Sequence, residues 1–209
     1  MRFTDQEFAN VKKLLVIYQW AQDTLMTKLN IIHQDFKNFH DNNPIEYITG
    51  RIKSPESIGD KLYKMELPLT AAHAQKALKD MAGIRIICPF AKDIYQLVAL
   101  LHTVQGLEIT QEKDYVSHPK PSGYRSYHLI VSVPVFFAGC TQHIPVEVQI
   151  RTEAMNFWAT LEHQAKYKYK EQVPKHLSDE LVKCADQIAE LDDRMFLIYE
   201  ILQLINSET

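Results

Sequence analysis

Residues 83–88 read Gly-Ile-Arg-Ile-Ile-Cys and stop at Pro89, and the segment Ala91 to Val104 follows, closed by Gly106. β-branched side chains suit a pleated, half-buried surface and proline cannot extend a ladder, so 83–88 predicts a strand and 91–104 a helix. Working outward, Ile48 to Lys53 predicts a short strand running into Ser54-Pro55, and Glu56 to Met65 a helix that starts beside that proline. Leu107 to Tyr115, Ser126 to Val135 and Ile144 to Arg151 predict further strands, and Glu153 to Lys170 a helix with Pro174 behind it. Helices alternating with about five strands imply an α/β (α+β) domain with a mixed sheet flanked by helices.

Two long helices bracket this core. From 5 to 40, Phe8, Val11, Leu15, Tyr18, Leu25, Leu29, Ile32, Phe36 and Phe39 recur at helical spacing, with Gln22 as the polar occupant of the stripe, until Asn42-Asn43-Pro44 ends it. From 176 to 205, Leu177, Leu181, Cys184, Ile188, Leu191, Met195, Ile198, Leu202 and Ile205 step by four and three, a heptad seam. Such helices can pack on the core of their own chain or across a subunit interface. No linker separates two domains, so the 209 residues are expected to form one.

Apolar residues make up 46% and charged residues 23%, ordinary for a globular chain. No apolar stretch is long enough to span a bilayer, and no apolar segment follows Arg2 to make a secretory signal, so no membrane partner is expected. Cys88, Cys140 and Cys184 are odd in number and form no C-x-x-C pair, which suits reduced thiols in the cytoplasm. A net charge of −3 argues against a general nucleic-acid binder, so no DNA partner is expected and nothing indicates RNA regulation. The nine histidines show no metal-ligand spacing.

Four clusters carry candidate chemistry. Arg51-x-Lys53-x-x-x-Ser57-x-x-x-Lys61 places cations at a strand-to-helix turn, either a cradle for a polyphosphate or a solvated basic edge. Asp80-x-x-Gly83-x-Arg85 puts a carboxylate at a strand end and a guanidinium inside an apolar strand, where it needs a protein carboxylate or a bound anion. Lys120-Pro-Ser-Gly-Tyr124-Arg-Ser-Tyr-His128 forms a turn leading to Tyr124, Ser126 and His128 on one strand face, a ledge for a base and its phosphates. Glu147, Gln149 and Arg151 share one face of a strand whose other face reads Val146, Val148, Ile150, and Trp158 and Glu162-His163 follow. Lining up a carboxylate, an amide and a guanidinium is expensive unless they serve a site.

Together, Pro44 to Lys61, Asp80 to Ile87, Asp114 to Leu129 and Val146 to Lys170 resemble the synthetase domain of the RelA/SpoT family, in particular its single-domain small alarmone synthetases. The resemblance covers a catalytic core of about 44–170 and implies a nucleotidyltransferase-like fold. It implies a GTP pyrophosphokinase that moves the β,γ-pyrophosphate of ATP to the 3′-hydroxyl of GTP or GDP with Mg²⁺, giving AMP and pppGpp or ppGpp in stringent-response signalling. By this resemblance Arg51, Lys53, Ser57, Lys61 and Arg85 hold ATP, and Asp80 and Glu147 bind Mg²⁺. Glu147 also takes the proton of the acceptor hydroxyl. Tyr124 stacks on guanine, Lys113, Lys120 and His128 meet the acceptor's phosphates or ribose, and Gln149 and Glu162 fix the acceptor.

Family homotetramers can bind product in a central cleft, and Tyr47, Thr49 and Asn156 match its lining, whereas Asn30 and His33 stand where regulated members carry basic residues. His40-Asp41 is the one His-Asp pair and nothing upstream accommodates the hydrolase half of larger members, so no hydrolase activity is expected. The competing readings are transfer to the 3′ end of tRNA, transfer of AMP instead of pyrophosphate, and a non-catalytic helical oligomerisation module.

Overall fold

The computed structural model describes residues 3–169 and 173–207. In chain order the elements are α1 (Asp5–Phe39), β1 (Tyr47–Ile52), α2 (Pro55–Lys64), α3 (Ala71–Ala77), β2 (Ala82–Cys88), α4 (Ala91–Thr103), β3 (Glu108–Asp114), β4 (Tyr127–Phe137), β5 (Cys140–Thr152), α5 (Glu153–Lys168) and α6 (Lys175–Ser207). One mixed sheet has the order β1-β2-β5-β4-β3, with β2 and β5 parallel and the other pairs antiparallel. No described helix is long and apolar enough to cross a membrane.

Alternation along the strands divides the sheet into two unlike faces. Ile84, Ile86, Leu129, Val131, Val146, Val148 and Ile150 are buried in the main core with Val11, Tyr18, Leu25 and Leu29 of α1 and Ile94 and Leu97 of α4. α1 lies so close over β1 that a Cβ on Gly50 would stand 2.9 Å from the Met26 methyl carbon and 3.0 Å from Gln22. Gln22, the polar member of the α1 stripe, is 5% exposed and donates from Nε2 to the carbonyls of Arg51 and Gly83, each at 2.8 Å. It thereby ties α1 to β1 and β2. The stripe holds through Leu29, but Phe39 is 80% exposed, so the end of α1 leaves the sheet behind.

The other face is polar because register brings charged residues abreast. At one level Arg51, Gly83, Glu147, Ile130 and Gln111 stand side by side across all five strands. At the next level Thr49, Arg85, Gln149, His128 and Lys113 do the same. At the third, Tyr47, Ile87 and Arg151 align across β1, β2 and β5.

Three elements differ from the sequence reading. The β4–β5 hairpin runs on to Phe137 and Cys140 around a turn in which Gly139 has φ +106, because backbone pairing continues through exposed residues that carry no alternating pattern. The short helix α3 was not anticipated; Thr70 caps it by accepting from the His73 N–H at 3.2 Å. The predicted end of α5 at Lys170 lies outside the described residues. α6 splits its seam: Leu181 and Ile188 pack with Ala185 against Trp158 in a second cluster, whereas Leu191, Met195, Ile198, Leu202 and Ile205 are each more than half exposed.

Candidate active site

Glu147 sits at the middle of the polar face, on the central strand β5, and forms a wall common to two clefts. One cleft lies over β1, β2 and β5 and is lined by Thr49, Arg51, Gly83, Arg85, Glu147 and Gln149. Gly83, with no side chain, leaves the backbone of β2 open beside Arg51. The other lies over β3, β4 and β5, lined by Lys113, Tyr115, Lys120, His128 and Glu147 among others.

On the first side, the basic cluster and the Asp80 cluster, separate in sequence, become one. Lys53 Nζ and Lys61 Nζ both donate to Asp80 Oδ2, at 2.7 and 2.6 Å. Lys61 is delivered by α2, which Ser54 caps through the Ser57 N–H; the Ser57 hydroxyl lies 3.1 Å from that of Ser54. Burial raises the Asp80 pKa, but the lysine hydrogen bonds and charges outweigh it, so its carboxyl titrates below the ordinary range. Asp80 Oδ1 is buried with no hydrogen-bond partner. Among the described residues no group of three or more His, Cys, Asp or Glu side chains could hold a metal ion.

For Arg85 the sequence left open a protein carboxylate or a bound anion. The side chain makes no ion pair with a carboxylate among the described residues, and its Nε is buried without a partner. Burial, then the charges of Arg151 and Arg51, press its pKa below the ordinary guanidinium value. A cation with two cationic neighbours, on the floor of a cleft, creates a positive potential that attracts anions.

On the second side the side chains close a ring. Tyr124 Oη lies 2.7 Å from His128 Nε2, His128 Nδ1 lies 3.2 Å from Glu147 Oε1, and Gln149 Nε2 donates to Glu147 Oε2 at 2.8 Å. Arg151 Nη2 donates to Gln149 Oε1 at 2.8 Å and to Tyr124 Oη at 2.5 Å, completing it. Burial raises the Glu147 pKa and Asp80 adds to this, but the His128 hydrogen bond and charge and the Gln149 hydrogen bond prevail, so the net direction is down. Lys120 Nζ stands 4.6 Å from the centre of the Tyr115 ring and 4.8 Å from that of Tyr124. Tyr124 is half-buried, packed against the cluster of Trp158, Ala159 and Ala185. Its turn is shaped by Gly123, at φ +88, where a Cβ would come 2.7 Å from the Cβ of Ala185 on α6.

The remaining sequence candidates are less tightly gathered. Glu162 on α5 pairs with Lys166 and lines neither cleft. Thr49, matched by resemblance to a regulatory position, lines the first cleft. Tyr47 donates to Glu153 Oε2 at 2.8 Å, and Asn156 Oδ1 is buried without a partner close by Tyr47. Sequence reasoning gave Arg151 no role beyond its place on the face, although its alternation with Glu147 and Gln149 was the available signal.

Residues 50–172 match the family model described as the region found in RelA / SpoT proteins. The chain is 44% identical to GTP pyrophosphokinase YwaC of Bacillus subtilis over 88% of both chains. It also superposes on small alarmone synthetase 1 of Bacillus subtilis bound to its product pppGpp, with TM-score 0.85 and 37% identity over 92% of this chain and 97% of that one. The same synthetase bound to AMPCPP gives TM-score 0.79 at 35% identity, over 92% and 97% of the two chains. With a matching domain model, a full-length relative and a shared fold, the chain belongs to the RelA/SpoT family.

Proposed function

We propose that this protein is a GTP pyrophosphokinase that transfers the β,γ-pyrophosphate of ATP to the ribose 3′-hydroxyl of GTP or GDP, and that residues 1–209 act as one synthetase domain without hydrolase activity. The observation that carries this reading is the shared wall: Glu147 borders both a cleft that holds Arg51 and Arg85, neither ion-paired to a carboxylate among the described residues, and a cleft edged by Tyr115, Lys120 and His128. Small alarmone synthetase 1 of Bacillus subtilis, solved with pppGpp and with AMPCPP, supports guanine and adenine nucleotides as the ligands.

In this reading Arg51 and Arg85 receive the ATP phosphates in the first cleft, with Lys53, Ser57 and Lys61 at its edge. Tyr124 offers its ring to guanine, Lys113, Lys120 and His128 meet the acceptor's phosphates or ribose, and Gln149 helps to fix the acceptor's position; Glu162, paired with Lys166 outside both clefts, gains no support from the geometry for the same role. The acceptor 3′-oxygen bonds to the β-phosphorus as the bond from that phosphorus to the α,β-bridging oxygen breaks, and AMP leaves with that oxygen. Such a transfer depends on alignment and charge neutralisation. Glu147, a carboxylate at neutral pH that His128 and Gln149 hold in place, accepts the hydroxyl proton as the new bond forms.

Asp80 and Glu147 fit a magnesium ion: Asp80 Oδ1 is a buried oxygen with no partner, and Glu147 feels the charge of Asp80. Two carboxylates completed by substrate phosphates are what this ion takes, not an all-protein cage. Bound there, Mg²⁺ would supply positive charge to the phosphate oxygens. Tyr47, Thr49 and Asn156 remain proposed as a regulatory cluster. The bare half of the α6 seam supports assembly into a homotetramer, and three free cysteines suit a cytoplasmic setting.

The test is chromatographic separation of the nucleotides after incubating purified protein with ATP, Mg²⁺ and GTP or GDP. AMP together with pppGpp or ppGpp is expected. Release of inorganic pyrophosphate with a nucleotidylated acceptor, or transfer to tRNA alone, would overturn the assignment.

A further inference from the structure

Arg151 is 5% exposed, yet no carboxylate lies within ion-pairing distance among the described residues. A guanidinium buried without a counter-ion is a net burden on folding, and an apolar side chain of similar volume would serve a core as well or better. All of its recorded hydrogen bonds go to neutral oxygens: Ser126 Oγ at 3.2 Å from Nε, and Tyr124 Oη and Gln149 Oε1 from Nη2. The last two acceptors begin two chains that end on the two oxygens of one carboxylate, Glu147.

With His128 neutral and Glu147 ionised, the ring has only one consistent sense. A guanidinium can only donate and an ionised carboxylate can only accept. Gln149 must therefore turn its carbonyl to Arg151 and its amide N–H to Glu147 Oε2. Tyr124 Oη accepts from Arg151 and has its hydrogen left for His128 Nε2. A neutral imidazole that accepts at Nε2 carries its proton on Nδ1, which then donates to Glu147 Oε1. Every bond in the circuit is made, and no donor faces a donor.

We propose that Arg151 is a positioning residue for the transfer: it fixes the direction of both hydrogen-bond branches that hold the Glu147 carboxylate at the wall between the clefts. It acts through Tyr124, His128 and Gln149 and need touch no substrate. The proposal rests on the reading of Glu147 as the group facing both substrates. Because the branches run through Tyr124 and His128, losing Arg151 disturbs the acceptor side and the reacting carboxylate, while Arg51 and Arg85 keep the ATP side and Arg85 loses one repulsive neighbour.

The experiment compares wild type, Arg151→Met, Tyr124→Phe and the double variant for kcat, for KM toward each substrate, and for the ¹⁵N signals of His128 in the substrate-free protein at pH 8. Tyr124→Phe keeps the ring and opens one branch only, so it stays informative should Arg151→Met fold poorly. The wild-type imidazole is expected in the Nδ1–H form. Arg151→Met is expected to lower kcat roughly ten- to hundredfold with KM for ATP within about twofold, and Tyr124→Phe to lower it roughly fivefold, at the scale of couplings within one network. In the Arg151→Met background, Tyr124→Phe should cost almost nothing further. Independent, multiplying effects on kcat, or an Nε2–H imidazole in the wild type, would overturn the proposal. The ¹⁵N measurement needs no turnover, so a wild type that transfers nothing would refute the proposed function while leaving the network itself open to judgement.

Discussion

At the scale of single residues, the decisive feature is cationic charge held without protein counter-charge. Arg85 has an unpartnered Nε and two arginines for neighbours. Replacing it with Met removes a repulsion and a desolvation cost, so thermal unfolding should show stability unchanged or raised. The apparent KM for ATP should rise roughly tenfold or more, the scale of one charge-assisted contact. A large loss of stability would mean that Arg85 serves the fold. Asp80 and Glu147 point the other way, since both carboxyls titrate below their ordinary range. A depressed folded pKa contributes stability that is complete above the unfolded value, about pH 4 to 5, and is lost as pH falls through the folded value. Unfolding midpoints measured across pH 3 to 6 should therefore drop in acid, and Asp80→Asn should flatten that drop. Little of this was legible beforehand. The face shared by Glu147, Gln149 and Arg151 follows from a period of two, but the capture of Asp80 by Lys53 and Lys61 joins positions 27 and 19 residues away, a distance that local pattern does not span.

At the scale of elements, strands β1, β2 and β5 place the chemistry, and α6 shapes the acceptor side. The strand pattern was readable because apolar residues alternate or cluster there. The extra length of the β4–β5 hairpin and the short α3 were not, because exposed ladder residues and a seven-residue helix leave little periodic signal. The role of α6 was also hidden, since it depends on Gly123 and Ala185 meeting across the chain. Gly123→Ala tests that contact. It combines a left-handed φ with a 2.7 Å overlap, so it should destabilise by about 1–3 kcal/mol and raise the KM for GTP or GDP more than that for ATP. Equal effects on the two substrates would show that the turn does not belong to the acceptor side.

At the scale of the whole molecule, the lower half of α6 presents Leu191, Met195, Ile198, Leu202 and Ile205 to solvent at heptad spacing. A second copy of the chain would offer such a seam an apolar partner of the same spacing. Sedimentation should find an oligomer for the wild type, and Met195→Glu with Ile198→Glu should shift it toward the protomer; a wild-type protomer at micromolar concentration would contradict this. The larger consequence concerns the two clefts and the carboxylate between them. The most direct measurement is a single-turnover reaction of Glu147→Gln with ATP, Mg²⁺ and GDP, run alongside equilibrium binding of each nucleotide. Nucleotide affinities within a few-fold of wild type, with the chemical step slowed roughly 10²- to 10⁴-fold, are predicted. Transfer at the wild-type rate would contradict the central role given to Glu147.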